Sequence, residues 1–185
     1  AGFQVYALIL GICSIGVPNA VSKMVSESLE IGDKRNCIKI LKISVVIFTI
    51  ISFGFCMFLY VFSDFIANHI LSISSSSSIL KILAPSIVFS AVEAVFRGYF
   101  NGINRIGVSA KIATIEQILK TILTIVIVEK IGEETNFNTE LMAKGSMLAA
   151  SIATISSFLY SFINYKKIIN DNNNKEYKTR KTKDI

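Results

Sequence analysis

Two pairs of oppositely charged residues, each inside an otherwise apolar stretch, are the strongest chemical signal in this 185-residue chain. Glu93 and Arg97 form one pair, Glu116 and Lys120 form the other, and in both the acid precedes the base by four residues. That spacing puts both side chains on one face of an α-helix. Ionisable groups inside a membrane are costly and are functional candidates by default. The pairs therefore predict either a functional charged site or neutralised salt bridges that hold helices together.

Other polar side chains share the helical faces of these pairs. The face of Glu116 and Lys120 also carries Thr114, Gln117, Thr121 and Thr124, and the face of Glu93 and Arg97 also carries Ser86, Ser90 and Asn101. The opposite side of the Glu116 segment is made of Ile, Leu and Val, which suits lipid or packed helices. Two polar stripes of this kind predict an internal cavity.

The elements that position these charges are predicted to be transmembrane helices. The chain is 52% hydrophobic and 17% charged, whereas soluble domains are about 25% charged. Spans of about 20 apolar residues cross a bilayer, and a backbone in lipid must satisfy its own hydrogen bonds as a helix. We predict an all-α, polytopic membrane protein with five transmembrane helices, over residues 3–24, 40–62, 79–102, 108–128 and 143–165. Residues 1–165 would form the bundle, and 166–185 a basic tail or linker.

The distribution of basic residues predicts the orientation in the membrane. Fifteen of the 19 Lys and Arg residues fall on one side of the predicted helices. The positive-inside rule places that side in the cytoplasm, so residue 1 is expected outside and the tail inside. The net charge of +6 is explained by this topology, and no nucleic-acid partner is expected. The chain begins at Ala1 without a signal peptide, which we interpret as a fragment missing its true start.

Backbone-shaping residues also lie in the spans. Pro18 and Pro85 are each predicted to kink a helix, and broken helices often line transport pathways. Gly98 and Gly102 have a GxxxG spacing beside Arg97, which predicts close helix packing at the inner surface.

Nothing in the sequence predicts an enzyme. His69 is the only histidine, so a histidine-based dyad or a multi-histidine metal site cannot be built. No phosphate-binding glycine loop is present, and Cys13, Cys37 and Cys56 have no metal-ligand spacing. We expect no catalytic residues, no metal and no cofactor.

An ordered set of short motifs resembles the stage V sporulation protein B and polysaccharide-biosynthesis family, which is related to the lipid II flippases within the multidrug/oligosaccharidyl-lipid/polysaccharide exporter superfamily. The motifs are Gly2-Phe3-Gln4, Gly16-Val17-Pro18-Asn19-Ala20-Val21-Ser22-Lys23 with Glu27, Ala84-Pro85, Phe96-Arg97-Gly98-Tyr99-Phe100-Asn101-Gly102 and Glu116-Gln117. Members of this family have about fourteen helices in two lobes. The chain resembles helices two to six of such a MATE-like flippase, and the absent first helix and second lobe are its main departure.

The resemblance implies alternating access, in which two lobes rock to pass an isoprenoid-linked saccharide outward. Its partners would be membrane lipid, a lipid-linked anionic saccharide and the remaining helices of the full-length protein. Lys120 would be the first candidate to contact a diphosphate headgroup, then Arg97, with Gln117 and Lys23 as further candidates. Glu116 and Glu93 would carry ion coupling or keep the bases charged.

Two other functions fit the same residues. A cation-coupled multidrug exporter of the same superfamily would carry an acidic, aromatic cavity, whereas the mixed Glu/Lys cavity favours an anionic substrate. A non-transporting membrane scaffold would use both charge pairs as structural bridges.

Overall fold

The fold is entirely helical in the part of the chain that the structure describes. This structure is a computed structural model that describes the backbone of residues 2–67, 76–134 and 138–183 and the side chains of 16–67, 77–133 and 138–168. Its helices are α1 (Gly2–Glu30), α2 (Lys34–Phe65), α3 (Ser76–Gly102), α4 (Ile106–Glu134) and α5 (Thr139–Lys183). The predicted all-α class and the five helices are thereby confirmed.

Each helix is longer than the apolar span predicted for it. At 1.5 Å per residue, the 32 residues of α2 extend about 48 Å, more than the hydrocarbon thickness of about 30 Å. Helix α5 has 45 residues and continues without a break through the basic segment after residue 165. The division of the chain at residue 165 remains a prediction.

Three of the described helical segments are long and apolar enough to cross a membrane: Lys34–Phe65, Ser77–Gly102 and Thr139–Ile168. In α4 the apolar stretch is interrupted by Glu116, Lys120 and Glu129. In α1 the side chains are described from residue 16 onward. Membrane crossing by α1 and α4 therefore remains a prediction.

Helix α3 lies at the centre of the bundle and packs against each of the other four helices. One apolar cluster surrounds its C-terminal half and includes Val21 and Val25 of α1, Leu41 of α2 and Phe100 of α3. A second cluster joins its N-terminal half to the end of α2 through Leu59, Ile66, Leu80, Leu83, Ala84 and Ile87. Helix α4 packs chiefly on α5.

The turns after α1 and α3 explain why both helices stop there. Gly32 and Asn104 have positive φ angles of 81° and 59°. In each turn the next residue's N–H donates back to the helix, from Asp33 to the Ser28 carbonyl at 3.1 Å and from Arg105 to the Phe100 carbonyl at 2.8 Å. This is the Schellman termination, which Gly and Asn favour because they tolerate a left-handed backbone. Short turns therefore hold α1 against α2 and α3 against α4.

The GxxxG spacing brings α1 and α3 into backbone contact, as predicted. A Cβ at Gly98 would lie 2.7 Å from the Pro18 carbonyl oxygen, and a Cβ at Gly102 would lie 2.6 Å from Cβ of Val25. Only a residue without a side chain allows helices to approach so closely.

Helix α2 presents an exposed apolar side. Its large exposed side chains include Ile50, Phe53, Phe55, Met57, Phe58 and Val61. Because exposed apolar surface of this extent is rare on soluble monomers, this side suits lipid or further helices.

Candidate functional site

The Glu93–Arg97 pair lies in the most enclosed part of the bundle. Glu93 is only 1% exposed, and the Nε of Arg97 lies 3.6 Å from its Oε1. Arg97 is half-buried, with about a fifth of its side chain exposed. The central position of α3 thus places a carboxylate and a guanidinium together among apolar neighbours.

Two buried serines of α5 lie one turn apart, the first of them beside this pair, and sequence reasoning missed both. Ser157 and Ser161 are fully buried, and Ser157 lies close enough to Glu93 to act on its carboxyl group. Other hydroxyls of α5 donate to a carbonyl of their own helix, as Thr154 does to Ala150 at 3.0 Å and Ser156 to Ile152 at 2.9 Å. Ser157 and Ser161 make no such bond. Their i, i+4 spacing is the signal that could have identified a polar face on α5.

Aromatic rings line the same contact between α3 and α5. Phe96 lies 6.3 Å from Phe158 and 5.5 Å from Tyr165, and Phe89 lies 5.6 Å from Phe158, between ring centroids. Because later rings of α3 meet later rings of α5, the two helices run in the same direction. Arg97 lies one turn after Glu93 on the same face of α3. Ser161 likewise lies one turn after Ser157 on the same face of α5. We call Glu93, Arg97, Ser157 and Ser161 the α3–α5 seam.

The second pair has a different geometry. Glu116 and Lys120 are half-buried and Gln117 is exposed on α4. No ion pair within 4.0 Å joins Glu116 to Lys120, and neither pairs with another charged group in the described ranges. Glu116 nevertheless acts electrostatically on Glu93. The structure therefore brings Glu93, Arg97 and Glu116 into one electrostatic group, and within the described residues the Lys120 ammonium has no ion-pair partner.

The remaining predicted residues lie apart from the seam. Lys23 is exposed on α1, and Pro18 of the same helix is buried beside Gly98. Pro85 is exposed on α3. Both prolines lie inside helices that continue through them, so the predicted kinks remain predictions.

Metal-binding groups are not assembled in the described residues. No three His, Cys, Asp or Glu side chains there come together in a way that could hold a metal ion. His69 lies outside the described residues.

These features together define a class: a helical membrane protein with ionisable groups enclosed between its spans, as transporters have. The family model described as "Polysaccharide biosynthesis protein" matches residues 1–185. The chain therefore belongs to the polysaccharide biosynthesis protein family, as the sequence motifs predicted.

Two curated relatives from Bacillus subtilis (strain 168) were found. Stage V sporulation protein B is 28% identical over 160 residues, which cover 85% of this chain and 30% of that protein. Lipid II flippase MurJ is 24% identical over 169 residues, which cover 87% of this chain and 30% of that protein. The chain thus spans about a third of the length of these relatives. No solved structure matches it significantly.

Proposed function

We propose that this chain forms part of a flippase that moves an isoprenoid-diphosphate-linked saccharide across the membrane by alternating access. Membership of the polysaccharide biosynthesis family supports this proposal, as does the similarity to a protein named as a lipid II flippase. The similarity to a sporulation protein extends the proposal to precursors of the spore cortex or the cell wall. Because these relatives are about three times longer, the chain would act together with further helices, as part of a first lobe.

The observation that carries the proposal is the unpaired ammonium of Lys120. A lysine in an apolar helix is costly unless an anion neutralises it. In the described residues no carboxylate lies within 4.0 Å of it, although Glu116 is only one turn away. A diphosphate would supply that anion, and charge-assisted hydrogen bonds would offset its dehydration.

Other residues would assist in binding the headgroup and in transport. Arg97 would offer its partly exposed guanidinium to the headgroup, with Gln117 and Lys23 as further contacts. Glu116 and Glu93 would couple transport to an ion or maintain the charge of the bases. Positive-inside topology would place residue 1 outside and the segment after residue 165 in the cytoplasm.

Substitution of Lys120 in the complete flippase tests the proposal. We expect Lys120→Gln to reduce flipping of a labelled isoprenoid-diphosphate sugar in proteoliposomes by roughly tenfold or more, because a hydrogen bond to a charged group is lost. Lys120→Arg should retain most of the activity. Lys130→Gln is the matched control, since Lys130 is an exposed lysine of the same helix.

The same assay separates the alternatives. Unchanged flipping by a stably folded Lys120→Gln protein would contradict the proposal. Export of a cationic dye, with no flipping of the diphosphate lipid, would favour the multidrug exporter. Retained transport after the exchange Glu116→Lys with Lys120→Glu would favour a structural bridge, and absence of any transport by the unsubstituted protein would favour a scaffold.

A further inference from the structure

The α3–α5 seam contains buried polar atoms that lack well-aligned hydrogen bonds. Glu93 is 1% exposed, and Ser157 and Ser161 are 0% exposed. Oε1 and Oε2 of Glu93, Nε of Arg97 and Oγ of Ser157 and Ser161 make no well-aligned hydrogen bond, although Arg97 Nε and Glu93 Oε1 form an ion pair at 3.6 Å and Ser157 lies beside the Glu93 carboxyl group. A polar group without a good hydrogen bond in a protein interior is destabilising, and the surrounding lipid offers no water to compensate. A small molecule that both donates and accepts hydrogen bonds would complete the bonding of these enclosed groups.

The chemical types of these atoms are complementary. The hydroxyls of Ser157 and Ser161 and the Nε–H of Arg97 can donate, and the carboxylate oxygens of Glu93 can accept. The serine side chains are short. The rings of Phe96 and Phe158, whose centroids are 6.3 Å apart, fill the space between α3 and α5 beside them. The polar groups of the two helices therefore face one another at this contact, with hydrogen bonds still to be completed.

Water fits this arrangement better than a cation does. Bridging requires a molecule that accepts from the hydroxyls and from Arg97 and donates to Glu93, and water does both. A bound Na⁺ would be repelled by the guanidinium, whose Nε is 3.6 Å from the carboxylate. Buried ion pairs also need further hydrogen bonds to repay their dehydration.

We propose that the α3–α5 seam is an internal water-binding site, in which ordered water bridges Glu93 and Arg97 of α3 to Ser157 and Ser161 of α5. This water completes the hydrogen bonds of an ion pair that the bundle encloses.

X-ray radiolytic labelling of the protein in lipid nanodiscs tests the site. A millisecond exposure produces hydroxyl radicals from water wherever it lies, and ordered internal water oxidises the side chains beside it. We expect oxidation of Phe96 and Phe158, measured by mass spectrometry, to exceed that of Phe53 and Phe58 severalfold. The first two rings line the α3–α5 contact, whereas the other two are on the exposed apolar side of α2.

A double substitution identifies the residues that hold the water. Ser157→Ala with Ser161→Ala leaves an apolar space that does not retain water, so we expect oxidation of Phe96 and Phe158 to fall severalfold. Ser151→Ala with Ser156→Ala is the matched control, because these hydroxyls of α5 bond to their own helix. That control should leave the labelling unchanged.

Three results would overturn the proposal. The first is labelling of Phe96 and Phe158 in the unsubstituted protein that is no faster than at Phe53 and Phe58. The second is labelling that is equally fast in both serine variants. The third is labelling that disappears when choline is replaced by Na⁺, which would assign the site to a cation.

Discussion

At the scale of single residues, the two charge pairs have the same sequence spacing but different surroundings. Glu93 and Arg97 are enclosed between helices and lie 3.6 Å apart, whereas Glu116 and Lys120 are half-buried and form no ion pair within 4.0 Å in the described chain. The first pair has the geometry of a structural ion pair. In the second pair the Lys120 ammonium has no ion-pair partner within 4.0 Å among the described residues.

The enclosed pair should show strong coupling between its two members. We expect Arg97→Met to lower the unfolding free energy by about 3 kcal/mol, because it leaves the Glu93 carboxylate buried without a counter-charge. Glu93→Gln combined with Arg97→Met should recover most of that loss, since both charges are then absent. Cys37 is buried whereas Cys56 is half-buried, so in a background without Cys13 and Cys56 the reaction of Cys37 with a thiol-reactive dye on heating measures unfolding. A double variant at least as unstable as Arg97→Met would contradict a structural role for the pair.

At the scale of helices, the glycines of α3 determine how closely α1 can approach. A Cβ at Gly98 would lie 2.7 Å from the backbone oxygen of Pro18, and a backbone atom cannot move aside as the end of a side chain can. The contact therefore depends on the absence of a side chain rather than on any attractive group.

Adding one methyl group should test this contact. We expect Gly98→Ala to lower the unfolding free energy by about 1–3 kcal/mol through overpacking. Gly54→Ala is the control, because Gly54 lies within α2 with open space where its Cβ would be, and the higher helix propensity of Ala should raise stability by up to about 1 kcal/mol. The same dye measurement applies to both variants. Equal responses to the two substitutions would show that α1 and α3 do not pack as closely as described.

The existence and order of the helices could be predicted from the sequence because long apolar segments in lipid have few structural solutions. The helix ends could not be predicted in the same way. Helix α2, for example, begins at Lys34, before the predicted start at residue 40, because its first turn is polar. Hydropathy detects the apolar centre of a helix, whereas capping groups such as Asp33, whose Oδ1 accepts from Asn36 N–H at 3.0 Å, determine where it starts.

The candidate site was predictable only in part. Glu93 and Arg97 were identifiable because a charge in an apolar segment is rare, whatever surrounds it. Ser157 and Ser161 were identifiable only as a polar face by their i, i+4 spacing, because only tertiary packing shows that this face meets another helix. The packing of α5 against α3 was likewise not predicted, because the periodicity of a helix shows which of its faces is polar but not which helix packs against that face.

At the scale of the whole molecule, the turns between the helices report the orientation of the bundle in the membrane. Asn104 lies in the turn between α3 and α4, Asn138 precedes α5, and both are exposed. In a background without native cysteines, we expect an impermeant maleimide added to intact cells to label Asn138→Cys and not Asn104→Cys. The reason is that Arg97, Arg105 and Lys111 lie near Asn104, and basic residues favour the cytoplasmic side. The reverse labelling pattern would contradict the proposed orientation.

The central place of α3 also has a consequence for biosynthesis. Ribosomes deliver the chain from its N-terminus, so α3 enters the bilayer two helices before α5. During that interval Glu93 and Arg97 lack the face of α5 that later covers them, and α1 and α2 enclose only the other sides of the helix. The insertion machinery must therefore accommodate a charged, half-covered helix until residues 139–168 emerge.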